Sequence, residues 1–184
     1  MISNIYNKLL QLATTANIFY AILAQTLLQI LLVLVLIPKA GLYSSEKIFD
    51  LRMYYTSGDI SKYLTELGKA GRDAYLYNEI IDLIYPFAYA TALLLLTIYL
   101  GQKAFKSPKP VIAALFLPLL VFLTDYAENS SILSMIILYP IENFLYFSTG
   151  YLTLIKHILL GANIVLLTLF SLLAVKRQIF YSQK

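Results

Sequence analysis

Four runs of about 20 predominantly apolar residues, at 18–38, 78–100, 111–135 and 151–175, constrain this chain more than any other feature. Each is long enough to cross a hydrocarbon core of roughly 30 Å as an α-helix. In lipid the backbone must satisfy its own hydrogen bonds, which leaves helices or closed barrels, and unbroken apolar runs of this length specify helices. The remaining residues leave no room for a separate soluble domain. The 13% charged residues stand against about a quarter in soluble domains. The chain reads as one integral membrane domain over residues 1–184. Its expected class is all-α, a four-helix transmembrane bundle with a short amphipathic helical cap at 39–77.

The first run is longer than a secretory h-region of about 7–15 residues and ends in Pro38-Lys39-Ala40-Gly41, a poor cleavage site. It therefore reads as a retained span. Gln25 and Gln29 lie at i and i+4 within it and are expected to face other helices, since an unpaired amide in hydrocarbon is costly.

Residues 39–77 hold six basic and five acidic side chains spaced as two short helices. Ser45 is placed to start the first, with Ile48, Leu51 and Met53 as its apolar side. Asp59 is placed to cap the second, whose apolar face is Ile60, Tyr63, Leu64 and Leu67, and Gly68 is placed to stop it. A segment this short cannot bury its own core and is expected to lie over the bundle.

Lys and Arg in short loops set the orientation. Lys103, Lys106 and Lys109 lie between spans two and three, and Lys176, Arg177 and Lys184 follow span four. The connector at 139–150 has no basic residue. Both termini are thus expected on the cytoplasmic side of the cell membrane, with the cap and that connector outside. Tyr75, Tyr77, Tyr85, Tyr126, Tyr139, Tyr146 and Tyr151 would then form an outer interfacial belt.

The spans are interrupted by charge at similar depths. Asp125, Glu128 and Asn129 lie at i, i+3 and i+4, on one helix face. At about 1.5 Å per residue, Asp82 lies about 6 Å inside the outer end of its span, with Asp125 and Lys156–His157 each about 8 Å inside theirs. Glu79, Glu128 and Arg72 come just above. Pro86 cannot donate to the carbonyl of Asp82, so a backbone acceptor is freed beside a membrane carboxylate. Asp125–Lys156 is the expected pair, with Arg72 matched to Glu128 or Glu79. Four carboxylates then face Arg72, Lys156 and one histidine, an excess that calls for protonation, a bound cation or water. Intramembrane ionisable residues are functional candidates.

Several chemistries are bounded at once. The chain has no Cys, which excludes disulfides and thiolate sites, and its one His excludes a multi-histidine metal site within one protomer. No basic tract suggests nucleic acid, and no motif names a cofactor. Glu79, Asp82, Asp125, Glu128 and His157 are the residues that an oxygen-rich metal site would use, although their spacing is commonplace. Acid/base chemistry would fall to Asp82 or Asp125, with Lys156 as electrostatic partner.

The run Leu67-Gly68-Lys69-Ala70-Gly71-Arg72-Asp73-Ala74-Tyr75 stands ahead of Asp82, Tyr85-Pro86 and Pro118. Asp125-x-x-Glu128-Asn129 and Thr153-x-x-Lys156 follow. Together they resemble an uncharacterised group of bacterial four-span membrane proteins over roughly residues 59–160. The plan is also similar to the EXPERA proteins, which include sterol isomerases and sigma-type receptors, in having four spans, acids on spans two and three and a lipophilic pocket. The histidine arrangement of the sterol isomerases is absent. The expected site is a polar pocket lined by Asp82, Asp125, Glu128, Asn129 and Lys156, with Arg72, Glu79 and His157 at its rim. Its expected partners are membrane lipids or an amphiphilic small molecule. An intramembrane enzyme acting on a lipid or isoprenoid, or a ligand-free accessory subunit, are the alternatives.

Overall fold

The computed structural model describes residues 2–37 and 48–182, and no strand occurs among them. In chain order the helices are α1 (Ile2–Leu12), α2 (Thr15–Ile30), α3 (Ser57–Glu66), α4 (Gly68–Asp82), α5 (Tyr85–Ala104), α6 (Lys109–Ala114), α7 (Phe116–Leu138) and α8 (Phe144–Ser182). α2 widens into a π-helical segment over Leu31–Leu36, and a 3₁₀ turn spans Phe49–Leu51. Four segments are long and apolar enough to cross a membrane: Thr15–Leu36, Gly68–Ala104, Lys109–Leu138 and Phe144–Ile179. The all-α class with four long apolar helices is therefore the one observed. The second and fourth overrun the expected spans because their early turns carry buried residues, Tyr75 and Tyr146, that hold them in the core. Asn143 starts α8 by accepting the Leu145 amide on its side-chain oxygen at 2.9 Å.

Two helix breaks fall just ahead of prolines. Over Leu83–Ile84 the amide of Leu83 still reaches Glu79 (3.0 Å), and that of Ile84 falls back to Ile81 (3.0 Å), before α5 begins one residue ahead of Pro86. Pro118 coincides with the turn at Leu115 that separates α6 from α7. Gly68, at φ 62°, supplies the left-handed residue between α3 and α4, where a side chain would be strained.

The chain forms two compact units. The first comprises Met1–Gln25, Phe87–Val121 and Leu159–Lys184. Ala13, Ile18, Leu95 and Ile98 form its core, with Leu9 and Leu10 of the amphipathic α1 packed against them. Gly101 admits Val111 so closely that a β-carbon there would lie 2.7 Å from it. Phe105 meets Phe170 edge-on at 5.1 Å.

The second unit comprises Thr26–Pro86 and Phe122–Ile158. Ile37, Ile48, Phe49, Tyr55, Ile60, Tyr63, Leu64, Tyr75, Ile132, Met135, Ile136 and Tyr146 make one buried cluster. The described part of the expected cap ahead of α4, residues 48–67, thus packs against α4, α7 and α8, but not as two α-helices, and residues 68–77 belong to α4. Ser45 lies outside the described residues. Ile48–Met53 forms only the 3₁₀ turn, with Ile48 and Phe49 buried while Leu51 and Met53 are exposed. Phe49 sits among the rings of Tyr55 (4.6 Å), Tyr63 (5.0 Å) and Tyr75 (6.1 Å), and this aromatic packing replaces the expected helical face.

The cap of α3 is Thr56, not Asp59. Thr56 is extended, its hydroxyl accepts the Asp59 amide at 3.3 Å, and the Asp59 carboxylate accepts the Thr56 amide at 2.7 Å, a reciprocal capping box. Gly150 lets the cap touch α8: a β-carbon there would lie 1.9 Å from the carbonyl oxygen of Tyr55. Tyr54 adds an edge-on contact with Tyr151 at 5.5 Å. Tyr75 and Tyr146 are thus core residues rather than members of an interfacial belt, whereas Tyr77, Tyr126 and Tyr151 are exposed. Gln29 is also exposed and Gln25 half-buried, because the first span is only 11% buried and offers little partner surface to its amides.

Charge divides completely between the units. All ten acidic residues (Glu46, Asp50, Asp59, Glu66, Asp73, Glu79, Asp82, Asp125, Glu128 and Glu142) belong to the second. The first has Lys8, Lys103, Lys106, Lys109, Lys176, Arg177 and Lys184 and no acid.

Candidate functional site

The polar residues of α7 lie on the helix's buried stripe. Val121, Asp125, Glu128, Ile132 and Met135 recur at helical spacing, and all are buried. Glu128 is fully enclosed. On α8 the matching stripe is Tyr146, Thr149 and Thr153, continued by Lys156 one turn on. The two stripes meet at the charges. The Lys156 ammonium lies 3.1 Å from Asp125 Oδ1 and 2.5 Å from Glu128 Oε2. Thr153 donates its hydroxyl to Glu128 Oε1 at 2.5 Å, so each oxygen of Glu128 is engaged from α8. The expected Asp125–Lys156 pair is present, and Glu128 shares the same ammonium. Two carboxylates on one face, spaced i and i+3, grip one cation from the neighbouring helix.

The α4 side is joined through Asn129. Its amide nitrogen is 3.4 Å from both the carbonyl oxygen and Oδ2 of Asp82. This carbonyl is the one that Pro86 cannot satisfy. The freed acceptor is therefore capped by a neighbouring helix, as such breaks require in a membrane. Glu79 lies one turn earlier and is fully buried, as is nearly so Asn78, whose side-chain oxygen has no hydrogen-bond partner. Tyr85 stands within electrostatic range of Asp82, Asp125 and Lys156.

Two expected rim residues are elsewhere. Arg72 does not pair with Glu128 or Glu79. Its guanidinium donates to the Leu64 carbonyl at 2.7 Å and stacks 4.0 Å above the Tyr139 ring. There it joins two other ties between α3 and the α7–α8 connector, from Thr65 to the Tyr139 hydroxyl (3.0 Å) and from Ser61 to Glu142. His157 turns back along its own helix, with Nδ1 2.8 Å from the Thr153 carbonyl. Accordingly, no group of three His, Asp or Glu among the described residues is arranged to hold a metal.

Thr153 and Tyr85 complete the layer and escaped the initial choice of residues. The Thr153-x-x-Lys156 spacing carried the signal for the first, since i and i+3 share a face.

Beside the layer, along the α7–α8 seam, a cavity of about 560 Å³ is lined by Ser131, Phe144, Leu145, Phe147, Ser148, Tyr151 and Leu152. Ser131 is one turn beyond Glu128, and Leu152 adjoins Thr153 in sequence. Its walls are predominantly apolar, with Phe144, Phe147 and Tyr151 exposed. The hydroxyls of Ser131 and Ser148 are turned to their own helices, onto Ala127 (2.7 Å) and Phe144 (3.2 Å).

No protein-family model, characterised protein or solved structure matches this chain.

Proposed function

We propose that this is a multi-pass protein of the cell membrane that binds a lipid-like, amphiphilic molecule along the α7–α8 seam. The ligand's apolar chain occupies the seam cavity, and its polar end lies toward the Asp125–Glu128–Lys156 layer. The observation that carries this reading is the adjacency of a roughly 560 Å³ apolar cavity to that buried charged layer on the same two helices. An amphiphile needs both within one molecule's length, and sites for such ligands are mostly apolar with a few placed polar groups. Both termini and the Lys103 loop face the cytoplasm in this reading, supported by Lys103, Lys106 and Lys109 between the second and third spans and Lys176, Arg177 and Lys184 after the fourth.

Native mass spectrometry of the gently purified full chain tests the proposal. The wild type is expected to retain an amphiphile that Ser148→Phe, which fills the cavity, releases while helix content and melting temperature hold. A wild type that carries and takes up no amphiphile would overturn the reading.

A further inference from the structure

The first crossing segment, Thr15–Leu36, is 11% buried, against 17–28% for the other three. Its helix α2 carries two glutamines one turn apart. Gln25 is half-buried and engaged within the chain. Gln29 is exposed, and its side chain makes no hydrogen bond among the described residues. Exposed hydroxyls in the other spans turn onto their own helices, Thr91 onto the Phe87 carbonyl (2.7 Å) and Thr168 onto that of Ile164 (2.8 Å). The Gln29 amide has no such bond. It lies seven residues from Leu36, the nearer end of the segment, or about 10 Å, deeper than a glutamine side chain can bridge to water.

Hydrocarbon supplies neither donor nor acceptor, so this amide needs a partner that brings both to the same depth. Acyl chains cannot, whereas a polar side chain on another helix can. An amide is its own complement, because the nitrogen of one donates to the oxygen of the other and accepts the same in return. Copies of one membrane protein share an orientation. A two-fold axis along the membrane normal therefore sets Gln29 opposite its own counterpart at equal depth. Ile22, seven residues earlier and about 20° around the helix, and Ile30 are exposed beside it and supply apolar contact. We propose that α2 is the contact face of a homodimer, in which the two copies of Gln29 exchange reciprocal hydrogen bonds and fix the register. This inference is independent of the α7–α8 seam, with which it shares no residue.

The test uses the full chain reconstituted in phosphatidylcholine vesicles. Because the chain has no Cys, a single introduced cysteine reports proximity without background. Ile22→Cys, with Gln29 intact, should oxidise to a disulfide-linked dimer. Leu27→Cys, exposed but about 160° around α2 from Gln29, should not. Energy transfer between copies labelled at the amino terminus, followed as added lipid dilutes the protein, gives the strength of association. Gln29→Leu should weaken it about tenfold, and Gln29→Asn should retain most of it. Gln29→Leu should also keep the wild-type helix content, since leucine suits an exposed position in lipid. A wild type that is monomeric at every dilution overturns the proposal and leaves lipid or a different protein as the neighbour of α2. Unchanged transfer in Gln29→Leu, or equal cross-linking at positions 22 and 27, overturns it as well.

Discussion

Asn129 holds Asp82 twice, with its amide nitrogen 3.4 Å from the backbone carbonyl and 3.4 Å from the carboxylate. The first contact exists because residue 86 is proline. Asn129→Leu should destabilise the protein by about 1–3 kcal/mol, the cost of leaving a buried acceptor unmade. In a Pro86→Ala background the residue-86 amide can itself bond the Asp82 carbonyl, and the same substitution should cost less. A double-mutant cycle on detergent unfolding checks this. Equal costs in both backgrounds would show that the carboxylate contact alone matters.

Lys156 is held by two buried carboxylates, so Lys156→Met leaves both without its ammonium. The expected loss is about 3–5 kcal/mol, seen as a sharply lowered melting temperature. The triple change Lys156→Met, Asp125→Leu, Glu128→Leu should recover most of it, since apolar replacements of similar volume often match a buried ion pair. If the triple variant stays as unstable as the single one, the layer's stability lies in other contacts.

Gly150→Ala places a carbon where the Tyr55 carbonyl stands. Overpacking of this kind costs about 1–3 kcal/mol, and here the cap can yield more easily than the long helix beneath it. The expected signature is faster proteolysis within residues 52–67 with helix content nearly unchanged. Alanine tolerated without added cleavage would argue against the close approach.

The Asp59 carboxyl is held below its ordinary value, first by the Thr56 amide and then by the Thr56 hydroxyl. A lowered folded value stabilises the cap above the ordinary carboxyl range, and that contribution is lost as pH falls through the lowered one. Protection factors in α3, referred to the intrinsic exchange rate at each pH, should therefore fall at acidic pH in the wild type, and Asp59→Asn should flatten that dependence. Thr56→Ala should cost about 1 kcal/mol at neutral pH.

Much of the fold was legible in the sequence because apolar length dictates spans and helical periodicity dictates faces. Asp125 and Lys156 could be matched from spacing and depth alone, and their contact is present, whereas Glu128, matched to Arg72 on the same grounds, shares the Lys156 ammonium instead. Arg72 could not be placed this way. Its partners are a backbone carbonyl eight residues back and a ring on the α7–α8 connector, which only tertiary packing brings near. His157 lies beside Lys156 in sequence, but one residue turns a helix by about 100°, enough to point it back at its own backbone. The cap was misread where aromatic stacking around Phe49 outweighed a weak helical pattern, and where a threonine three residues ahead of Asp59 took the capping role.

The division of charge has a consequence for the response to salt. In Met1–Gln25, Phe87–Val121 and Leu159–Lys184 every charged side chain is a lysine or the arginine, so their mutual repulsion is what added salt screens. Thr26–Pro86 and Phe122–Ile158 hold charges of both signs, and the contacts of Lys156 with Asp125 and Glu128 are buried there. Moderate salt therefore relieves repulsion in the first unit while leaving the buried pairs of the second nearly untouched.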